Sequence, residues 1–297
     1  MSSIVFDQQD ELSIIRVDNV FATASIALYG ASVLSFIPKG VSGNLDLLWV
    51  SPTAVFDGRK PVRGGVPICW PWFGKHAVNL ALPAHGFVRN LLWQLDQVST
   101  LESGATELAF SLESCKSTLE IWPYSFHLAL VVTVGETLSL RLITTNLSDQ
   151  EMRFTEAFHS YFKVEDVSKI SVFGLEGSTR VDTLNDGQRS LQSGVLRLST
   201  PTMDSVFLNH SVDAVLEDPL LSRRIYIRKQ SSNSSVVWNP GPEIVKGFRD
   251  IPEEAWPSFL CVESGNVFEE VVVLAPSKKH ELSLELSSVP LYSVFIS

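Results

Sequence analysis

The side chains best suited to moving protons in this sequence are a histidine and a glutamate far apart in the chain: His159 in RFTEAFHSYFKV and Glu263 in SFLCVESG. An imidazole changes charge near neutral pH, so it can serve as acid or base wherever it meets a reacting group. A strand reading puts Thr155, Ala157, His159 and Tyr161 on one face and Phe154, Glu156, Phe158 and Phe162 on the other. The phenylalanine face is core, and His159 shares the more polar face with a tyrosine, which leaves a structural and a catalytic histidine both open. Glu263 closes an apolar run. Pattern alone favours a solvated carboxylate at a strand end over one held in a cleft with a raised pKa. Asp204 in TMDSVF reads as a turn residue or as an acceptor for a hydroxyl, and His85 in PAHGF as a turn histidine or a site residue.

Two loops stand out beside these residues. RGGVPICWPWFG, residues 63–74, has too many glycines and prolines for a helix interior, where each would cost about 1 to 3 kcal/mol, and its prolines suit no central strand. It is an ordered loop, in which Trp70, Trp72 and Phe73 are expected to plug a core. Gly64 and Gly65 point to tight turning or to close approach of a ligand, and Arg63 suits an anion. HGFVRN follows and brings Arg89 with it.

The elements that must position these groups are strands. In FHLALVVTVGETLSLRLITTNLS, Phe126, Leu128, Leu130, Val132 and Val134 alternate with their neighbours, Gly135 and Glu136 break the run, and Leu138, Leu140 and Leu142 resume it. That pattern is a hairpin. TASIALYGASVLSFI, TELAFSLE, KISVFGL, RIYIRKQ, SSVVWNP, FEEVVVLAP and HELSLELSSV give further strand-length runs between turn residues. PEEAW, residues 252–256, reads as one short helical turn, and long amphipathic helices are absent. Many short strands without intervening helices predict an all-β fold, a large antiparallel β-sandwich. No linker, repeat or low-complexity tract divides it, so one domain over 1–297 is expected.

Composition narrows the function. With 297 residues, 45% of them hydrophobic and 19% charged, the chain can bury a sizeable core. A net charge of -10 excludes a general nucleic-acid binder, so any anionic ligand needs a local basic pocket. There is neither a basic leader with an apolar run nor an apolar stretch near 18 residues, which gives the cytoplasm, not a membrane, as the expected location. Cys69, Cys115 and Cys261 form no CxxC pair and read as reduced core thiols, with neither a disulfide framework nor a zinc site.

RGGVPICWPWFG, LPAHGFVRN, FHSYF, TMDSVF, VVWNPGP and FLCVE occur in this order. The ordered set resembles the hexose-6-phosphate mutarotases, or glucose-6-phosphate 1-epimerases, of the aldose 1-epimerase family, and the first two segments are similar to its bacterial branch. The resemblance runs from about residue 20 to about residue 285. It implies a galactose-mutarotase-like β-sandwich with a sugar cleft on one concave sheet, no metal and no nucleotide cofactor, and a monomer whose partner is a small-molecule sugar phosphate. By position it implies catalytic roles for His159 and Glu263, and substrate contacts from Arg63, Arg89, Asp204 and His85. Ala84 stands where some relatives carry glutamine. The implied chemistry has Glu263 take the proton of the anomeric hydroxyl while His159, as imidazolium, protonates the ring oxygen, which asks for a modest upward push on the histidine. A free-aldose mutarotase and a non-enzymatic carbohydrate-binding sandwich are the alternatives. A glycosidase fits less well, because it relies on paired carboxylates.

Overall fold

Alternation becomes structure most plainly in the hairpin Phe126–Val134 and Leu138–Asn146, where every second residue of the first strand is buried. The computed structural model describes residues 3–40, 43–198, 200 and 202–291. That hairpin supplies the sixth and seventh strands of a nine-stranded sheet. Its order is Leu196–Arg197, Ser171–Phe173, Ala214–Asp218, Arg223–Gln230, Lys279–Pro290, Leu138–Asn146, Phe126–Val134, Thr106–Glu113 and Gln94–Thr100. An eight-stranded sheet runs Gln188–Leu191, Thr179–Asp182, Met203–Leu208, Ser234–Asn239, Phe259–Asn266, Glu156–Phe158 and Ile68–Cys69, with Tyr161–Lys163 also paired to Phe259–Asn266. A four-stranded sheet, Ser3–Gln9, Leu12–Asp18, Ala22–Ala27 and Ser32–Pro38, completes the large layers. Pairing is antiparallel throughout the two larger sheets. This is the antiparallel β-sandwich that the period-two runs predict.

One core joins the three sheets. Leu128, Leu130 and Leu142 of the nine-stranded sheet, Phe158, Val237 and Leu260 of the eight-stranded sheet, and Ile15 and Phe36 of the four-stranded sheet belong to a single buried cluster. Each apolar side chain buried there contributes about 1.5 to 3 kcal/mol relative to exposure. No helix among the described residues is long and apolar enough to cross a membrane.

The structure corrects several local expectations. RFTEAFHSYFKV is three short strands, Met152–Phe154, Glu156–Phe158 and Tyr161–Lys163, although the two faces divide as expected. FEEVVVLAP keeps only Val272–Leu274 as strand, because its single partner, Met152–Phe154, offers three residues of pairing. Cys69 and Cys261 are buried, whereas Cys115 is an exposed residue capping the short helix Lys116–Ile121. PEEAW is the short helical turn expected: Pro252 caps the 3-10 helix Glu253–Ser258.

Candidate active site

Leu260 and Val262 enter the main core, so alternation along Phe259–Asn266 turns Cys261 and Glu263 to the opposite face of the eight-stranded sheet. Cross-strand register then lines up Asp204, Trp238, Cys261 and Tyr161 in one row, and Val206, Val236 and Glu263 in the next. Glu263 is therefore in the interior of a strand buried along its whole length, not at a solvated end. SerGlyAsn after it looks like a turn, but Gly265 is there so that two strands can approach: a Cβ at that position would run into the Glu156 carbonyl.

His159 sits where the neighbouring strand is interrupted. Its own N–H donates to Pro67 O at 2.9 Å, and Tyr161 N–H donates to Gly65 O at 2.9 Å, so the RGGVP loop stands in for a strand partner on both sides of the histidine. This is what the double glycine is for. Gly64 and Gly65 have φ of 118° and 69°, and a Cβ on either would collide with the carbonyl of Trp49 or Val33. The close approach is made to backbone and not to a ligand. Trp70 likewise is core, packed edge-on against Trp122 and Phe126, and Trp238 is the large aromatic placed in the row of site residues.

The imidazole of His159 stacks on the ring of Tyr161, with centroids 4.8 Å apart and planes 6° from parallel. Its Nδ1 lies 3.5 Å from Glu263 Oε1, and both side chains are almost wholly buried. Among the described residues, Nδ1 and Glu263 Oε2 have no hydrogen-bond partner. Burial pushes the glutamate well above its ordinary pKa, reinforced by Asp204 and opposed by Arg89. Burial likewise pushes the histidine well down, with His85, Arg89 and Arg63 adding to it. The expected upward push on His159 is thus reversed in the ligand-free site. Without a hydrogen bond the pair gains little attraction to offset the burial of two charges, so burial favours the uncharged form of each group.

Arg63 is held from two sides. Nε donates to Asp250 Oδ2 and Nη1 to Tyr161 Oη, each at 3.1 Å, and the guanidinium lies 5.1 Å from the centre of the Phe248 ring. Burial disfavours the cation, but Tyr161 and Asp250 outweigh it and keep the group charged. Arg89 lies in the turn Val88–Asn90 and spends Nη2 on Ala84 O at 2.9 Å, which makes it a brace of the HGF loop. Its Nε is buried without a partner. Asp204 is raised by burial and by Asp182. His85 faces His159 with ring centroids 5.4 Å apart.

All six residues singled out by sequence are thus coupled electrostatically. Sequence reasoning passed over Tyr161, Trp238, Phe248 and Asp250 as site groups. Trp238 was recoverable from its alternation with Val236 in SSVVWNP, whereas Phe248 and Asp250 lie in an irregular segment with no periodic signal. Among the described residues no group of three or more His, Cys, Asp or Glu is placed to hold a metal ion.

Known proteins resemble this chain along most of its length. The chain is 36% identical over 271 residues to an Escherichia coli K12 protein named "Putative glucose-6-phosphate 1-epimerase", with 91% of this chain and 89% of that one covered. A crystal structure of a "putative mutarotase" from Salmonella typhimurium superposes with a TM-score of 0.89 at 33% identity, over 97% of this chain and 94% of the other. A galactose mutarotase related enzyme from Lactobacillus acidophilus shares the fold at a TM-score of 0.75 and 14% identity, over 99% of each chain. The family model described as aldose 1-epimerase matches residues 13–287, and the chain belongs to that family.

Proposed function

We propose that the protein interconverts the α and β anomers of hexose 6-phosphates, chiefly glucose 6-phosphate, by acid–base opening and reclosure of the sugar ring. The observation that carries this reading is the buried pair His159 and Glu263, 3.5 Å apart and short of hydrogen-bond partners, with the charged Arg63 bonded to the tyrosine that stacks on His159. Opening requires one base and one acid. The base takes the proton of the anomeric hydroxyl, the C1–O1 bond becomes a carbonyl, the C1–O5 electrons go to the ring oxygen, and the acid protonates it. Rotation about C1–C2 and the reverse transfers close the other anomer, so no proton is gained or lost overall.

The pair needs one shared proton, whichever member holds it. A dianionic phosphate at Arg63 counters part of the positive field that depresses His159, and so favours the imidazolium with an ionised Glu263 when substrate is bound. The same reading gives one domain over 1–297, and a monomer in the cytoplasm that binds neither nucleic acid nor membrane. Asp204 accepts from a sugar hydroxyl, and His85 orients the ring.

The test is the optical rotation of freshly dissolved α-glucose 6-phosphate with and without protein. A relaxation faster than the spontaneous one is expected. Unchanged relaxation with saturable binding would leave a carbohydrate-binding sandwich, and faster relaxation of glucose than of its phosphate would give a free-aldose mutarotase.

A further inference from the structure

His85 meets His159 from the neck of a loop. Its N–H donates to Gly74 O at 2.7 Å, and its φ is 62°. Its ring receives two groups at one nitrogen: Cys69 Sγ lies 3.5 Å from Nδ1, and Gly74 N–H donates to Nδ1 at 3.4 Å. An amide N–H can only donate. Cys69 is fully buried on the strand Ile68–Cys69, and burial disfavours its thiolate, so the thiol also donates. Nδ1 must then offer its lone pair to both, and the proton of the neutral ring sits on Nε2.

We propose that Cys69 is a positioning residue that, with the Gly74 amide, fixes His85 as the neutral Nε2–H tautomer, so that His85 presents a standing hydrogen-bond donor to a sugar oxygen and takes no part in the proton transfers. The inference rests on the reading of His85 as a cleft residue and deepens it. The groups facing the ring agree with it. Burial, then Arg89 and Arg63, disfavour a second positive charge and hold its pKa down to about 3. His159 faces it at 5.4 Å between centroids, and the Phe73 ring covers it edge-on at 4.7 Å. Protonating Nδ1 would turn an acceptor into a donor against two donors. A ring free to exchange tautomers would present its lone pair to the sugar for part of the time, and the division of labour between His85 and His159 would be lost.

The experiment is nitrogen NMR of the ligand-free full chain labelled at histidine, with His85→Gln to assign the signal. Wild type is expected to show the Nε2–H tautomer from about pH 5 to about pH 9. Cys69→Val should give mixed tautomers, a His85 that titrates, and kcat/KM on glucose 6-phosphate lowered about threefold to tenfold with an altered pH profile, the factor of one neutral hydrogen bond. Cys69→Ser, which keeps a donor, should restore the tautomer. An Nδ1–H ring or an imidazolium in wild type would overturn the proposal, as would a Cys69→Val protein with the wild-type tautomer and pH profile. If Cys69→Val does not fold, the wild-type spectrum decides alone. The spectrum needs no turnover, so a failure of the proposed activity and a failure of this inference are distinguishable.

Discussion

Arg63 Nη1 donates to the hydroxyl of Tyr161, and the tyrosine ring lies parallel to the imidazole of His159. The charge that suits a phosphate and the ring that suits a proton transfer are therefore joined through one side chain. Asp250 holds Arg63 from the other side at 3.1 Å, across 187 residues of sequence. The guanidinium arrives oriented, so less conformational freedom is lost when it meets an anion.

Removing that guanidinium should separate phosphorylated from neutral sugars. Arg63→Ala is expected to lower kcat/KM on glucose 6-phosphate about tenfold to a hundredfold, the effect of a charge-assisted hydrogen bond, with a smaller loss on glucose through Tyr161 and His159. Arg63→Lys should rescue only part, since it keeps charge without the fork. The measurement is the ratio of efficiencies on the two sugars, and equal losses on both would remove Arg63 from phosphate recognition.

Arg89 should behave differently. Because it braces Ala84 O, Arg89→Ala is expected to reduce turnover of glucose and glucose 6-phosphate by similar factors and to lower Tm. A loss confined to the phosphorylated sugar would give Arg89 the phosphate instead.

His159→Ala and Glu263→Gln should each reduce mutarotation about a hundredfold or more while leaving circular dichroism unchanged, as expected for a general acid and a general base. A variant that keeps a near wild-type rate takes its residue out of the mechanism.

The pH profile of kcat/KM should be a bell with its limbs assigned in the order opposite to the ordinary values. Below the depressed pKa of His159 both groups are protonated, and above the raised pKa of Glu263 neither is, so only the interval between holds the single shared proton. Glu263→Gln also has a stability signature. A carboxyl raised above 4.5 in the folded state contributes stability at low pH that is lost as pH rises through the folded pKa. The Tm of Glu263→Gln minus that of wild type should therefore grow as pH rises from 4.5 to the folded pKa and level off above it, and a difference independent of pH would mean the carboxyl is not held protonated.

The strands were legible where one face is core and the other is not, as in Phe126–Val134. They were illegible where both faces are covered, because alternation vanishes. Phe259–Asn266 is buried at every residue, and its glutamate therefore looked like the end of an apolar run. The interruption at His159 was hidden for another reason. It is made by backbone bonds to Pro67 and Gly65, some ninety residues away, which no local pattern encodes. Six candidate residues could be named from motifs, but their electrostatics could not, since the direction of the His159 shift depends on burial and on the cations Arg89 and Arg63.

The neck at Gly74 and His85 bears on how the protein can be rebuilt. Residues 75–84 leave and return through one backbone hydrogen bond of 2.7 Å, and Val78 and Leu80 at the tip are exposed. Doubling such a loop costs only about 0.6 kcal/mol in closure entropy, and the clasp at its base isolates His85 from what is attached beyond it. That makes this loop a natural port for insertions: a tag, a reporter or a second binding module can be grafted beyond the clasp while the buried pair His159 and Glu263 keeps its place.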